Sequence, residues 1–205
     1  GQESKPILDT ARHQLAGLIN AKPNEIYFTG SGSEADNWAI KGTAFALQNK
    51  GNHIITSKIE HHAVLHTCEY LEKSHGFQVT YLDVDEKGFI DLEQLKKEIR
   101  PETILISIMF ANNEIGTVEP IKEIAEIAKS KNILFHTDAV QALGNMAIDV
   151  KELGIDMMSV SGHKLYAPKG VGALYIRNGV KIHNLIHGGG QERKKRAVRR
   201  IQGVT

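Results

Sequence analysis

Lys164 stands just beyond a short apolar run, residues 157–160, that reads as a buried strand stopping at Ser161, Gly162, His163 and Lys164. The turn residues Ala167, Pro168, Lys169 and Gly170 follow. A rigid strand end therefore delivers an amine, and the common chemistry of such a lysine is a Schiff base with a carbonyl compound. Taken alone it reads equally as a solvated loop lysine, the ordinary place for that residue. Gly32 and Ser33 sit where a strand passes into a helix, so free N–H groups and the positive end of the helix dipole face an anion there. Ser161 and His163 can complete that anion cup from the other side. Asp138 ends another strand and can hold a proton on a heteroaromatic nitrogen. Gln141, three positions on, faces the same way in a helical turn and can bond a ring hydroxyl. His61 offers a flat face for stacking and an imidazole that can move protons.

The elements that must position these groups are legible from periodicity. Residues 3–19 carry Ile7, Leu8, Ala11, Leu15 and Leu18 at helical spacing. A strand at 25–29, the loop Gly30-Ser31-Gly32-Ser33 and a helix at 34–48 follow. Strands are expected at 53–57, 77–82, 103–110, 133–135, 157–160 and 172–177, with helices from 60 to about 75, at 91–100 and at 120–130. Pro120 opens the last of these helices, where its missing donor costs nothing. This alternation predicts a three-layer α/β/α domain with a mainly parallel, mixed sheet. Ligands in such sheets sit at the carboxyl ends of the strands. Five polar clusters fall there: 30–33, 60–62, 112–114, 136–141 and 161–164.

Composition narrows the classes. The chain has 205 residues, 41% of them hydrophobic and 24% charged, enough for one well-buried core. No apolar run approaches the ~20 residues of a membrane span, and nothing resembles a signal peptide. The single cysteine, Cys68, forbids an internal disulfide and fits a reducing compartment, so a cytoplasmic location is expected. A formal net charge of +1 conceals a basic tail, Arg193, Lys194, Lys195, Arg196, Arg199 and Arg200, on a mildly acidic body. No aromatic residue interleaves that tail and no groove-reading motif accompanies it, which argues against nucleic-acid binding.

An imine-forming lysine, a carboxylate for a pyridinium nitrogen and a phosphate cup together describe a site for pyridoxal 5'-phosphate. The strongest rival is a dinucleotide fingerprint, since Gly30, Gly32 and Ala35 also read G-x-G-x-x-A. That motif wants an acid at the end of the second strand, where this chain has Ser57-Lys58. A non-catalytic binding module is the other alternative. His61 and His62 lack a third ligand at metal-site spacing, so no metal is expected. Asp138 alone reads as a helix N-cap and Asn113 as a turn residue. Trp38 is a core residue, and Cys68, in an apolar helical stretch, is expected to be buried and inert.

The segments FTGSGSEADNWAIKG, SKIEHHAVLHT, ANNEIGTVEPI, FHTDAVQ, SGHKLYAPKGVGALY and HGGGQER, in this order, resemble the successive motifs of the NifS/IscS-type cysteine desulfurases within the class V aminotransferases. The resemblance runs from residue 1 to about 196. It implies the large domain of a fold-type I pyridoxal-phosphate enzyme over 1–192, incomplete at its N-terminus, with the C-terminal small domain absent and 193–205 a tail unlike the family. By matching position, Lys164 resembles the cofactor-linked lysine, Asp138 the pyridine-nitrogen partner, Gln141 the residue near the ring hydroxyl and His61 the stacking histidine. Gly32, Ser33, Ser161 and His163 resemble the phosphate binders, and Asn113 a residue beside the ring and the substrate carboxylate.

The family's reaction converts L-cysteine to L-alanine and leaves sulfur as a persulfide on an enzyme cysteine, from which it passes to an acceptor or scaffold protein. The resemblance also implies a homodimer and a role in iron-sulfur cluster or thio-cofactor biosynthesis. Cys68 does not match the family's sulfur-carrying cysteine, so full turnover by this chain is not expected. After GGGQER the chain reads KKRAVRRIQGVT, without the threonine that in the family reaches a partner subunit's cofactor phosphate. Deleting one base from a codon run for AGTENTG yields AVRRIQG, so this tail reads as a shifted frame. Another fold-type I lyase or aminotransferase remains the alternative within the cofactor class.

Overall fold

The computed structural model describes residues 5–162 and 171–187. In chain order the elements are α1 (Lys5–Ile19), β1 (Ile26–Thr29), α2 (Gly32–Leu47), β2 (His53–Ser57), α3 (His62–His75), β3 (Gln78–Leu82), α4 (Leu92–Glu98), β4 (Thr103–Ser107), β5 (Ala111–Asn112), β6 (Thr117–Val118), α5 (Ile121–Ser130), β7 (Leu134–Asp138), α6 (Val150–Leu153), β8 (Met157–Ser161) and β9 (Gly172–Ile176). Seven strands form one sheet in the order β1-β9-β8-β7-β4-β2-β3. The run from β8 to β3 is parallel, and β9 pairs antiparallel with both β8 and β1. The predicted mainly parallel, mixed sheet is therefore the one found.

Adjacent side chains on each central strand enter opposite cores, as the period of two requires. Ile55, Ile106, Phe135, Met158 and Tyr175 join the core beneath α1, α4, α5 and α6. Their neighbours Ile54, Leu105, Met157 and Leu174 join a second core with Trp38, Val64, Cys68 and Leu71 from α2 and α3. Burial on both faces explains why these strands read as continuous apolar runs. α1 faces the core through Leu8, Arg12, Leu15, Ala16 and Ile19. Ile7 and Leu18, expected on that stripe, are 46% and 53% exposed, because at 100° per residue they fall off the stripe set by 8, 12, 15 and 19. Arg12 donates to the carbonyl of Ile26 and lies 5.0 Å over the Phe28 ring, tying α1 to β1.

Several boundaries differ from expectation. The β4 strand stops at Ser107 rather than 110, where Ile108 and Phe110 instead donate to the carbonyls of His136 and Asp138. β7 runs on through Asp138 instead of ending at 135. The 112–114 cluster lies on a short hairpin, in which Asn112 Oδ1 accepts from the N–H groups of Glu114 and Ile115. The helix α6, capped by Asp149 and closed by Gly154 at φ 75°, is too short for a periodic signal. Of the described helices none is long and apolar enough to cross a membrane.

Candidate active site

The α2 face of the sheet turns from apolar to polar as its strands approach their carboxyl ends. Leu105 gives way to Ser107, Leu134 to His136 and Asp138, and Met157 to Ser159 and Ser161, each two residues further along its strand. The period of two thus carries one face out of the hydrophobic core and into a cleft. This cleft of about 430 Å³ is lined by Gly32, Ser33, His61, Asn113, Asp138, Gln141 and Ser161 among others. Every expected site residue among the described ones is in that lining. His163 and Lys164, the two remaining candidates, lie outside the described residues, as do the GGG segment and the basic tail.

The anion end of the cleft is built by local sequence. Ser31 caps α2, its hydroxyl accepting from Glu34 N–H at 3.0 Å, while the Glu34 carboxylate reaches back to the N–H of Gly30. Serine followed three residues later by glutamate is the pattern that starts a helix. The helix consequently begins at Gly32, two residues before the predicted start, and Gly32 and Ser33 hold the first helical positions, whose N–H groups have no carbonyl within the helix. A Cβ on Gly32 would come within 2.7 Å of Val140 Cγ2, so a larger residue here would have to push the Val140 side chain aside.

In the same cleft, Asp138 closes β7 and is only 6% exposed. Its Oδ1 accepts from Val140 N–H at 2.9 Å within a turn, and no helix follows of the kind its N-cap reading expected. Asn113 Nδ2 donates to Gln141 Oε1 at 2.5 Å, joining the hairpin to the turn after β7. His61 caps α3 by accepting from Ala63 N–H on Nδ1 at 3.1 Å. With Nδ1 accepting, a neutral ring carries its proton on Nε2.

Beneath these residues lie two acids to which sequence reasoning assigned no role, although Glu60 falls within the 60–62 cluster. Asp36 is 1% exposed on the buried face of α2, with a carboxyl oxygen within 4.8 Å of Asp138 and His61. Burial, then the neighbouring Asp138, hold its carboxyl well above the usual range, so it is protonated. The signal available was an acid on the same helical stripe as Gly32, Ala39 and Thr43. Glu60 accepts from the Ser57 hydroxyl and from Met109 N–H at 3.1 Å, and burial pushes its carboxyl up to about 8. No pattern distinguished it from a solvated acid. His136 bridges the Ser107 and Ser159 hydroxyls at 2.7 and 2.8 Å, and burial lowers it to about 3. Its 3.6 Å approach to Asp36 Oδ1 is therefore a contact of two neutral groups.

Asp36, His61 and Asp138 bring potential ligand atoms within 4.8 Å of one another. Folding thus gives His61 two carboxyl neighbours that the spacing along the sequence did not show. The dinucleotide alternative loses its context. β1 and β2 are separated by five strand positions instead of lying side by side as a βαβ unit requires. Cys68 is fully buried, and burial pushes its thiol up to about 12, which removes it from nucleophilic chemistry at neutral pH.

A three-layer α/β/α domain with a capped helix start and a buried acid lining one cleft at the carboxyl ends of its strands has the architecture of a ligand-binding enzyme domain. The chain belongs to the class-V aminotransferase family, whose model matches residues 1–202. Cysteine desulfurase IscS of Clostridium botulinum strain Hall is 66% identical over 195 residues, covering 95% of this chain and 49% of that protein. A NifS-like protein of known structure superposes at TM-score 0.94 with 43% identity, over 100% of this chain and 56% of the other. The structure of SspA in complex with cysteine gives 0.91 and 47%, over 96% and 57%. The chain spans about half the length of the curated relatives it matches.

Proposed function

We propose that this chain carries the pyridoxal-phosphate-binding region of a cysteine desulfurase acting on L-cysteine. The observation that carries the reading is the pairing, in one cleft, of the α2 N-terminus with the buried Asp138 carboxylate. The cleft volume of about 430 Å³ suits a cofactor of this size. Gly32 and Ser33 N–H groups with the Ser161 hydroxyl would hold the phosphate, with His163 beside them. Asp138 would keep a proton on the pyridine nitrogen, Gln141 would meet the ring hydroxyl and His61 would stack on the ring. When bound, the cofactor supplies an electron-withdrawing ring that stabilises a carbanion next to the substrate nitrogen.

The chain's own residues would prepare that chemistry. Asp138, at the end of β7, would hold the proton of the ring nitrogen. His61, whose Nδ1 is engaged by Ala63 N–H, would move a proton through Nε2. Lys164 would link the cofactor and, once released, move a proton as an amine. Asn113 would orient the substrate carboxylate from the hairpin. Of the relatives, SspA is described in complex with cysteine, which supports that substrate. We extend the reading to transfer of sulfur through a cysteine persulfide to an acceptor protein serving iron-sulfur cluster assembly, to a homodimer and to a cytoplasmic location.

The test is the absorption spectrum of the purified chain with pyridoxal phosphate, then borohydride reduction and peptide mapping. A visible band with the pyridoxyl group on Lys164 is expected. A folded chain with no band, or with label scattered over surface lysines, would overturn the reading.

A further inference from the structure

Three carboxyl groups share the floor of the cleft, and a buried site cannot carry three negative charges. Asp36, on α2, is faced by Asp138 and by the neutral His136 from β7, by Ser159 from β8, by Glu60 from the β2–α3 connection and by His61 at the start of α3. Glu60 is held by the Ser57 hydroxyl and Met109 N–H, away from any shared proton with Asp138. Asp36 and Asp138 bring carboxyl oxygens within 4.8 Å of one another, and two buried acids this close do not both ionise. Asp138 accepts from Val140 N–H, a backbone donor that favours its ionised form; Asp36 has one buried oxygen, Oδ1, without a hydrogen-bond partner, and burial opposes its charge more than the Ser159 hydroxyl favours it. The proton therefore resides on Asp36 and the charge on Asp138.

Resting on the pyridoxal-phosphate reading above, we propose that Asp36 is a positioning residue: it is the hydrogen-bond donor that fixes the single negative charge of the cleft floor on Asp138, facing the ring nitrogen. A carboxylate that accepts this bond is a weaker base, so a proton shared with a pyridine nitrogen stays on the nitrogen. Without the donor, the proton drifts toward Asp138 and the ring withdraws electrons less strongly. Asn in place of Asp36 supplies an N–H donor of nearly the same shape; Ala or Leu supplies none.

The experiment compares the wild-type chain with Asp36→Asn, Asp36→Ala and Asp36→Leu, each shown to be folded by circular dichroism. Pyridoxal phosphate is titrated by absorbance, and the pH midpoint of the bound cofactor's visible band is recorded. Asp36→Asn is expected to bind within about threefold of wild type with an unmoved midpoint. The Ala and Leu variants are expected to bind about tenfold more weakly and to shift the midpoint to higher pH by about one unit, a charged hydrogen bond's worth.

A separate readout needs no cofactor. The urea midpoint of the cofactor-free wild type should fall more between pH 5 and 8 than that of Asp36→Asn, because only the wild type must ionise Asp36. An Asn variant that binds as weakly as the Leu variant would overturn the proposal, as would Ala and Leu variants that leave band and affinity unchanged. Identical urea profiles for wild type and Asp36→Asn would overturn the proton assignment. Wild type that binds no pyridoxal phosphate would instead sink the functional reading, whatever the urea profiles show.

Discussion

Glu60 shows how one buried side chain sets a pH response. Its folded carboxyl is raised to about 8 by burial, whereas in an unfolded chain it titrates near the ordinary value of 4.5. Above the ordinary value the folded state holds a proton that the unfolded state has lost, so stability falls as pH rises through the folded value. Glu119, raised to about 7 by burial, acts in the same direction. Stability of the cofactor-free chain is therefore expected to be highest near pH 5 and to drop by a few kcal/mol by pH 9, at about 1.4 kcal/mol per pKa unit. Glu60→Gln, which keeps an acceptor for Met109, should flatten much of that drop. Urea midpoints at the two pH values check it; a Gln variant with an unchanged pH slope would show Glu60 ionised throughout.

The junction of β1, α2 and β9 depends on backbone proximity. Gly172, first residue of β9, packs against the loop that opens α2, and a Cβ there would sit 2.4 Å from the Ser31 carbonyl carbon. Backbone cannot yield as a side-chain tip does. Gly172→Ala is expected to displace the α2 N-terminus and to cost ~1–3 kcal/mol, the usual range for overpacking. Because the same displacement moves Gly32 and Ser33, inorganic phosphate or pyridoxal phosphate should bind more weakly to a variant that still folds. Chemical unfolding and a phosphate titration separate the two effects. This glycine reads in sequence only as part of a P-K-G-V-G turn signal; the reason for its size is Ser31, 141 residues earlier in the chain.

For the whole molecule, the cleft gathers groups from β1–α2, β2–α3, β4–β5, β7 and β8, so a ligand filling it ties the middle of the sheet to both α2 and α3. Binding to the folded state alone stabilises by mass action, about 2.7 kcal/mol at a hundredfold excess over Kd. Thermal unfolding should accordingly move to higher temperature with pyridoxal phosphate concentration, and nicotinamide dinucleotides should leave it in place. A shift with dinucleotides alone would favour the competing reading despite the separation of β1 from β2.

Much of the molecule was determined by its sequence alone. The apolar runs 53–57, 103–107 and 172–176, the Ser31–Glu34 helix start and the polar residues at strand ends are local patterns, because period, capping and turn chemistry act over a few residues. Those patterns pointed to Gly32, Ser33, His61, Asp138, Gln141 and Ser161, the family resemblance added Asn113, and all seven line one cleft. Tertiary structure alone decided the strand order, which sets β1 against β9 and removes the dinucleotide context. It also decided that Asp36 and Glu60 are acids without charge. Burial and the approach of Asp138 from 102 residues away set their protonation, and no periodicity within a window can report the field of groups brought together by folding.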